Sequence, residues 1–173
     1  SPRRAVAYAA CSAVGSPTGL FDFHVNPEIN VLVGCGLGGT SLINANVSLR
    51  PDPRVFEDAR WPAALRGDIA SGFTAGVTRA EEMLKPRTYP EDWPALAKLS
   101  SQFTAAAALN QPIVRTPINV TFEDGVNHVG VEQRACVLCG DCVSGCNHHA
   151  KNTVLMNYLP DAWNHGAEIY TQV

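Results

Sequence analysis

Apolar positions along the chain change their period several times, and each change marks an element. From residue 27 to 33, "PEINVLV" is a short β-branched run ending at a glycine, the pattern of a buried strand. "DIASGFTAGVTRAEEMLKP" sets Ile69, Phe73, Val77, Ala80 and Leu84 three or four apart, which predicts an amphipathic helix stopped by Pro86. "DWPALAKLSSQFTAAAALN" repeats the spacing with Leu96, Leu99, Phe103 and Leu109. Pro94 falls near its first turn, where a missing N–H costs little. "PINVTFEDG" alternates Ile118, Val120 and Phe122 with Asn119, Thr121 and Glu123, a half-buried strand closed by an Asp124-Gly125 turn. Further on, Val154, Leu155, Tyr158, Leu159 and Ala162 share a helical stripe that Pro160 should kink or restart. Gly166 is placed to cap it before a last strand over 168–173. Helices and strands are mixed without strict βαβ alternation, so the expected class is α+β or α/β.

Composition narrows the setting. A chain of 173 residues, 46% apolar and 17% charged, is that of an ordinary globular protein, and its length suits one domain burying about 70% of its unfolded surface. A net charge of −3 gives no electrostatic attraction to nucleic acid or an anionic membrane. No run approaches the ~18 apolar residues of a membrane span. The start, "SPRRAVAYAACSAVGSP", has Arg3 and Arg4 ahead of an apolar patch, but an alanine-rich patch so short is more commonly a buried helix than an export signal. The cytoplasm is the expected compartment. The chain begins without methionine and stops inside an apparent strand, so it is expected to be an internal piece of a longer protein.

Two stretches carry candidate chemistry. In "VLVGCGLGGTSLINANV", Gly34, Gly36 and Gly39 have the G-x-G-x-x-G spacing of a dinucleotide-binding fingerprint. That motif needs a helix after the third glycine, whose N-terminal amides meet a pyrophosphate. The following "TSLINANVSLRPDP" is a poor helix former, and "RVFEDARWP", which holds Glu57 and Asp58, is not a second strand. The glycines therefore mark either a close crossing of backbones or a site where a planar ligand approaches the main chain, with Ser41, Asn44 and Asn46 as polar neighbours.

"CVLCGDCVSGC" places Cys136, Cys139, Cys142 and Cys146 in C-x2-C-x2-C-x3-C, with Asn147 where bacterial ferredoxins usually have proline. Thiolates so spaced, with a glycine for the tight turn, wrap an iron–sulfur cube. With one run only, Cys146 closes the site itself or a remote Cys11 or Cys35 does. A zinc site using His148 or His149 and a pair of disulfides compete with the cluster.

Together these stretches resemble the glucose–methanol–choline (GMC) family of FAD-dependent oxidoreductases, in its cholesterol-oxidase-like branch. The resemblance lies in "GCGLGGTSLINANVSLRPDPRVFED" followed by Trp61-Pro62, and in "GCNHHAKNTVLMNYLPDAWNHGAEIYTQV". It implies part of an FAD-binding α/β domain plus part of a substrate domain with an antiparallel sheet and helices. Residues 1–50 would be a flavin-domain portion, 51–135 the helical and strand part of the substrate domain, and 136–173 the cysteine motif, helix and strand returning to the flavin domain. The resemblance puts Gly38, Gly39 and Thr40 along the cofactor by main chain, with Asn44, Ala45 and Val47 against the isoalloxazine. It puts Val173 at the adenine end, and Ser41 and Asn46 as neighbours. The family's strand–GxGxxG–helix and its histidine for the substrate's hydroxyl proton have no match here, and His24, His128, His148, His149 and His165 each read as surface or packing residues.

The four-cysteine run is not a feature of the sterol oxidases and marks a variant. The implied activity is FAD-dependent oxidation of a CH–OH group in an alcohol or sterol-like substrate. A [4Fe-4S] cluster at the cysteines would be structural or would pass electrons to a protein or quinone acceptor. The alternative is a non-enzymatic iron–sulfur or zinc-binding module in which the glycine loop is only a turn.

Overall fold

The computed structural model describes residues 3–8, 12–14, 16 and 18–171. Its first layer is a mixed four-stranded sheet in the order β2-β1-β3-β4, with β1 at Arg3–Tyr8, β2 at Ser12–Val14, β3 at Phe21–His24 and β4 at Val31–Gly34. The described residues 3–8 and 12–14 of the alanine-rich start are thus strands, not the expected helix. β1 pairs antiparallel with β2, Val6 opposite Val14, and parallel with β3, Val6 opposite Phe23. Pairing on both sides satisfies backbone groups that a short helix leaves open at its ends.

The run at 27–33 also differs from expectation. Asn26 N–H donates to the Asn30 side-chain oxygen at 3.3 Å, which holds the preceding residues in a turn, so β4 begins only at Val31. β4 is an edge strand, and Val31 and Leu32 are exposed rather than buried.

The predicted amphipathic helix is present in three joined pieces: α1 at Ala63–Asp68, a π turn at Ile69–Phe73 and α2 at Thr74–Leu84. Its stripe of Ile69, Phe73, Val77, Ala80 and Leu84 is half-buried along its whole length. The π turn forms where the Asp68 carboxylate accepts from Ser71 Oγ (2.6 Å) and Gly72 N–H (3.0 Å), a side chain competing with the i→i−4 ladder. Lys85, in left-handed backbone at φ 49°, ends the helix one residue before Pro86. α3 spans Ala97–Ala108. Pro94 lies ahead of its first turn rather than in it, with its carbonyl accepting the Tyr89 hydroxyl at 2.6 Å.

Residues 118–122 are extended but form only single ladder pairs: Ile118 with Val47 and Arg87, and Val120 with Lys151. Val120 and Phe122 are buried as the alternation requires, but so is Asn119. Its N–H donates to the Asn46 carbonyl (2.8 Å) and its own carbonyl accepts from Asn152 N–H (2.9 Å). Chain on both edges, not one solvated face, explains the exception. Val120, Phe122 and Ala150 form the core, packed by Tyr89, Trp93, Ile118, Cys136 and Cys146. Trp93 and Tyr89 stand edge-on to Phe122 with ring centroids 4.9 and 5.8 Å away, a favoured aromatic geometry. The expected Asp124-Gly125 turn is not found: Gly125 opens β5 (Gly125–Val126), which pairs with β6 (Glu132–Gln133) in a small hairpin whose turn lies at 128–129.

After the cysteines, a 3-10 turn at Val154–Met156 leads into α4 at Tyr158–Asn164. Pro160 restarts the helix: it sits in the first turn of α4, where its absent N–H has no intrahelical partner to lose. Gly166, at φ 88°, ends α4. Its N–H donates to Trp163 O (3.0 Å) and Ala167 N–H to Ala162 O (2.9 Å), a Schellman closure. The expected last strand is not found among the described residues 168–171, which run without ladder pairing.

The accessible area is 12171 Å², against about 8,200 Å² for a compact monomer of this mass by the usual size scaling. Much apolar surface is therefore uncovered, including Ile29, Leu49 and Tyr170.

Candidate functional site

The glycine loop is a close crossing of backbones. A Cβ on Gly34 would stand 2.6 Å from the Gly39 carbonyl oxygen, and one on Gly38 would meet Leu155 at 3.3 Å. Gly36 and Gly38 take φ 132° and 108°, conformations that only glycine adopts without strain. Beyond them comes one 3-10 turn, Gly39–Leu42, rather than a helix. Without a helix of useful length there is no dipole or row of free amides to hold a pyrophosphate, so this is not the dinucleotide fingerprint that its spacing imitates.

The polar residues of the loop divide between internal ties and an outer face. Thr40 Oγ1 accepts from Gly34 N–H (3.2 Å), and the Asn44 side-chain oxygen accepts from Asn46 N–H (3.2 Å). Ser41 Oγ donates to the Gly38 carbonyl (2.6 Å) and accepts from Val154 N–H (3.0 Å), so its hydroxyl is committed within the protein. Ile43 and Asn46 are buried, Asn46 in left-handed backbone at φ 53°. Asn44, Ala45 and Val47 are exposed, and an added Cβ on Gly39 would meet nothing within 4 Å. The loop therefore shows solvent a strip of small side chains and main chain, anchored from behind. Val173 lies outside the described residues.

The cysteine loop lies on the core cluster. Cys136, Cys139, Cys142 and Cys146 line one cavity together with Val120, Ala150, His148 and Lys151. All four are free thiols, so the disulfide alternative is not the arrangement found. Two left-handed positions, Leu138 (φ 58°) and Gly140 (φ 80°), turn the chain around the cavity, and Leu138 N–H donates to Cys136 Sγ at 3.4 Å. Burial pushes the Cys136 thiol up, the Leu138 N–H partly offsets this, and the other three sulfurs push it up further. Among the described residues, no three His, Cys, Asp or Glu side chains are grouped as ligands of a single metal ion. The four thiols share the wall of one cavity.

Cys35 is half-buried in the glycine loop, with its N–H on the Leu20 carbonyl (2.7 Å), and is not part of the cavity wall. Cys11 lies outside the described residues. Of the histidines, His148 lines the cavity, while His149 stands outside it in left-handed backbone. His24 pairs with Asp22 (3.3 Å), His128 meets Met83 Sδ (3.4 Å) and His165 bonds the Asp161 carbonyl (2.8 Å).

Lys151 joins the two loops, and periodicity and motif spacing both passed over it. It is 2% exposed. Its ammonium donates to the carbonyls of Leu42 (3.1 Å), Asn44 (2.7 Å) and Cys142 (2.8 Å), one acceptor for each proton. Burial lowers its pKa, opposed by the nearby Cys142 and Cys146 thiols. A lone lysine inside the otherwise uncharged "AKNTV" is the signal that points to it. A second amide network steadies the cysteine segment. Gln133 Nε2 donates to the His149 carbonyl (3.1 Å) and the Asn152 side-chain oxygen (2.8 Å), while Asn127 Nδ2 donates to Gln133 Oε1 (3.1 Å) and the Met156 carbonyl (2.7 Å).

The fold is thus mixed α and β, with an anchored small-residue loop tied to the segment after the cysteines through Ser41 and Val154. The family model described as GMC oxidoreductase matches residues 8–173, and the chain belongs to that family. It is similar to a cholesterol oxidase of Acinetobacter baumannii, 27% identical over 165 residues, which covers 89% of this chain and 29% of the relative. A cholesterol oxidase of Mycobacterium tuberculosis is 28% identical over 166 residues, covering 87% of this chain and 28% of the relative. The chain thus spans less than a third of the length of these curated relatives. No helix among the described residues is long and apolar enough to cross a membrane.

Proposed function

We propose that this chain forms the flavin-facing part of an FAD-dependent oxidoreductase that acts on the CH–OH group of an alcohol or sterol-like substrate. Family membership and the cholesterol oxidase relatives support the class. The observation that carries the reading is the exposed strip at Asn44, Ala45 and Val47, held in place by the buried Ile43 and Asn46. That strip suits the flat face of an isoalloxazine: small side chains permit close approach, and the anchored backbone needs no reordering when the ring arrives. Gly38, Gly39 and Thr40 would line the cofactor by main chain, Ser41 and Asn46 would hold the loop's shape, and Val173 would lie toward the adenine. Bound FAD supplies the hydride acceptor for alcohol oxidation. Residues 1–50 and 136–173 would then serve the flavin domain, and 51–135 the substrate domain.

The cysteine cavity extends this reading. Cys136, Cys139, Cys142 and Cys146 are proposed as the site of an iron–sulfur cluster on the strength of their C-x2-C-x2-C-x3-C spacing, and they line one cavity. The Leu138 N–H on Cys136 Sγ is a hydrogen bond of the kind that tunes such clusters. A bound [4Fe-4S] cluster supplies a one-electron centre, which suits a protein or quinone acceptor. Held by the four cysteines, it would also brace the return to the flavin domain. The non-enzymatic module, with the glycine loop as a mere turn, leaves the match to an oxidoreductase family over residues 8–173 unexplained.

Two variants of the full-length protein test the two parts. Ala45→Phe places a ring where the flavin is to lie, on an exposed position the fold does not use, and should purify folded with little flavin. Full flavin content in that variant contradicts the placement. Cys139→Ser should lose iron and acid-labile sulfide while keeping flavin, and unchanged iron and sulfide contradict the cluster.

A further inference from the structure

Arg50, Arg54, Arg60 and Arg87 each sit on a carboxylate. Arg115 does not. It is half-buried, and among the described residues the one hydrogen bond of its guanidinium runs from Nη1 to the Tyr89 carbonyl at 2.8 Å. Most of its five N–H donors are therefore unused by those residues. A cavity of about 360 Å³ lies beside it, walled by Tyr89, Trp93, Leu96, Leu99 and Phe103. Ligand clefts commonly have about this volume, with apolar walls and a few placed polar groups. Tyr89 and Trp93 stand edge-on to Phe122 of the core, and the Tyr89 hydroxyl donates to the Pro94 carbonyl, so that wall is fixed before a ligand arrives. The facing wall is the apolar stripe of α3, where Leu96 and Phe103 are exposed, and covering them favours an apolar occupant. Glu91 and Ser100 also line the cavity but are exposed. Water screens the Glu91 charge, whereas the half-buried Arg115 keeps more of its own.

We infer that this cavity is a binding site for an aliphatic carboxylate, a fatty acid or a similar single-chain acid, with its chain between Trp93 and α3 and its carboxylate on Arg115. The planar guanidinium matches a carboxylate in both charge and fork geometry. A neutral alcohol of the same chain fills the walls but leaves the cation without a counter-charge. A small polar anion meets the cation but leaves the aromatic and leucine walls unfilled. Only a molecule with both parts satisfies both features. The cavity shares no residue with the strip at 38–47 or with the cysteine cavity, so the site depends on neither FAD nor a cluster being bound.

Titration calorimetry on the full-length protein, with decanoate and with decanol below their micelle and solubility limits, tests the assignment. One decanoate should bind per chain, about ten- to a hundredfold more tightly than decanol, the worth of one hydrogen bond to a charged group. Arg115→Gln should keep decanol binding and bring decanoate down to the same affinity. Ala95→Trp, which fills the cavity from its wall, should lose both. Ala45→Phe should bind decanoate as the unmodified protein does, whatever flavin it retains. No decanoate binding, or equal affinity for the acid and the alcohol, overturns the inference without any variant having to fold. An unchanged preference in Arg115→Gln overturns it as well, and so does loss of decanoate in Ala45→Phe, which would put the acid at the strip. Flavin content, measured separately on the same protein, tests the reading of residues 38–47, so the two failures are distinguishable.

Discussion

Ser41 Oγ accepts the N–H of Val154 at 3.0 Å across 113 residues of sequence, and donates to the Gly38 carbonyl at 2.6 Å. One hydroxyl thus closes the glycine turn and fastens it to the segment that follows the cysteines. In the full-length protein, where this and the following stability variants are to be compared, Ser41→Ala leaves the Val154 N–H without its partner and should lower stability by about 1–3 kcal/mol, read as a shift of the urea midpoint. A midpoint within error of the unmodified protein contradicts this role.

The crossing at Gly34 makes an ordered pair of predictions. Gly34→Ala drives a methyl into the Gly39 carbonyl, 2.6 Å away, and the backbone must part, at about 1–3 kcal/mol or more. Gly39→Ala meets no neighbour and carries only the left-handed penalty of its φ of 57°, about 1–2 kcal/mol. Denaturant titration should therefore rank Gly34→Ala as the more damaging, and the reverse order contradicts the crossing.

Gln133 is 6% exposed and uses both ends of its amide, on His149, Asn152 and Asn127. Gln133→Leu keeps the volume but strands three polar partners, and should cost at least about 2 kcal/mol. Because β6 leads directly into the cysteine loop, the variant should also speed labelling of Cys136 by a thiol reagent. Unchanged labelling together with unchanged stability contradicts the network's role.

The carboxyls of Asp52, Asp58, Asp68 and Glu81 are all held below their ordinary range, and Glu81 is the one whose partner is distant in sequence. The Arg50 guanidinium, bonded to Glu81, holds that carboxyl below the usual glutamate range. A carboxylate lowered in the folded state contributes stability that is fully present above its ordinary pKa and is lost as pH falls through the folded value. Both side chains are substantially exposed, so the effect is small and weakens with salt. Glu81→Gln should flatten the acid limb of a stability–pH curve at low ionic strength, and an unaltered limb contradicts the pairing.

The open surface carries its own consequence. With far more accessible area than a compact monomer and with Ile29, Val31, Leu32 and Leu49 uncovered, the 173-residue chain expressed alone should show no sharp cooperative thermal transition. A sharp calorimetric peak contradicts this.

What the sequence made legible was local. The stripe from Ile69 to Leu84, the Gly166 cap and the cysteine spacing each depend on neighbours within a turn or two. The beginning of the chain departs from its helical composition because β1 owes its form to pairing with β3, which composition does not encode. Alternation predicts an outer face for Asn119 because it assumes one solvated side, and here chain lies on both. Lys151 escaped periodicity altogether: its partners Leu42 and Asn44 are 109 and 107 residues away, and no local pattern announces a tie of that span.

The absorbance spectrum of the full-length protein, purified anaerobically and without added cofactor, tests the central claim most directly. Resolved flavin bands, with a broad iron–sulfur shoulder beneath them that disappears in Cys139→Ser, are the predicted result. A spectrum with no flavin bands contradicts the account.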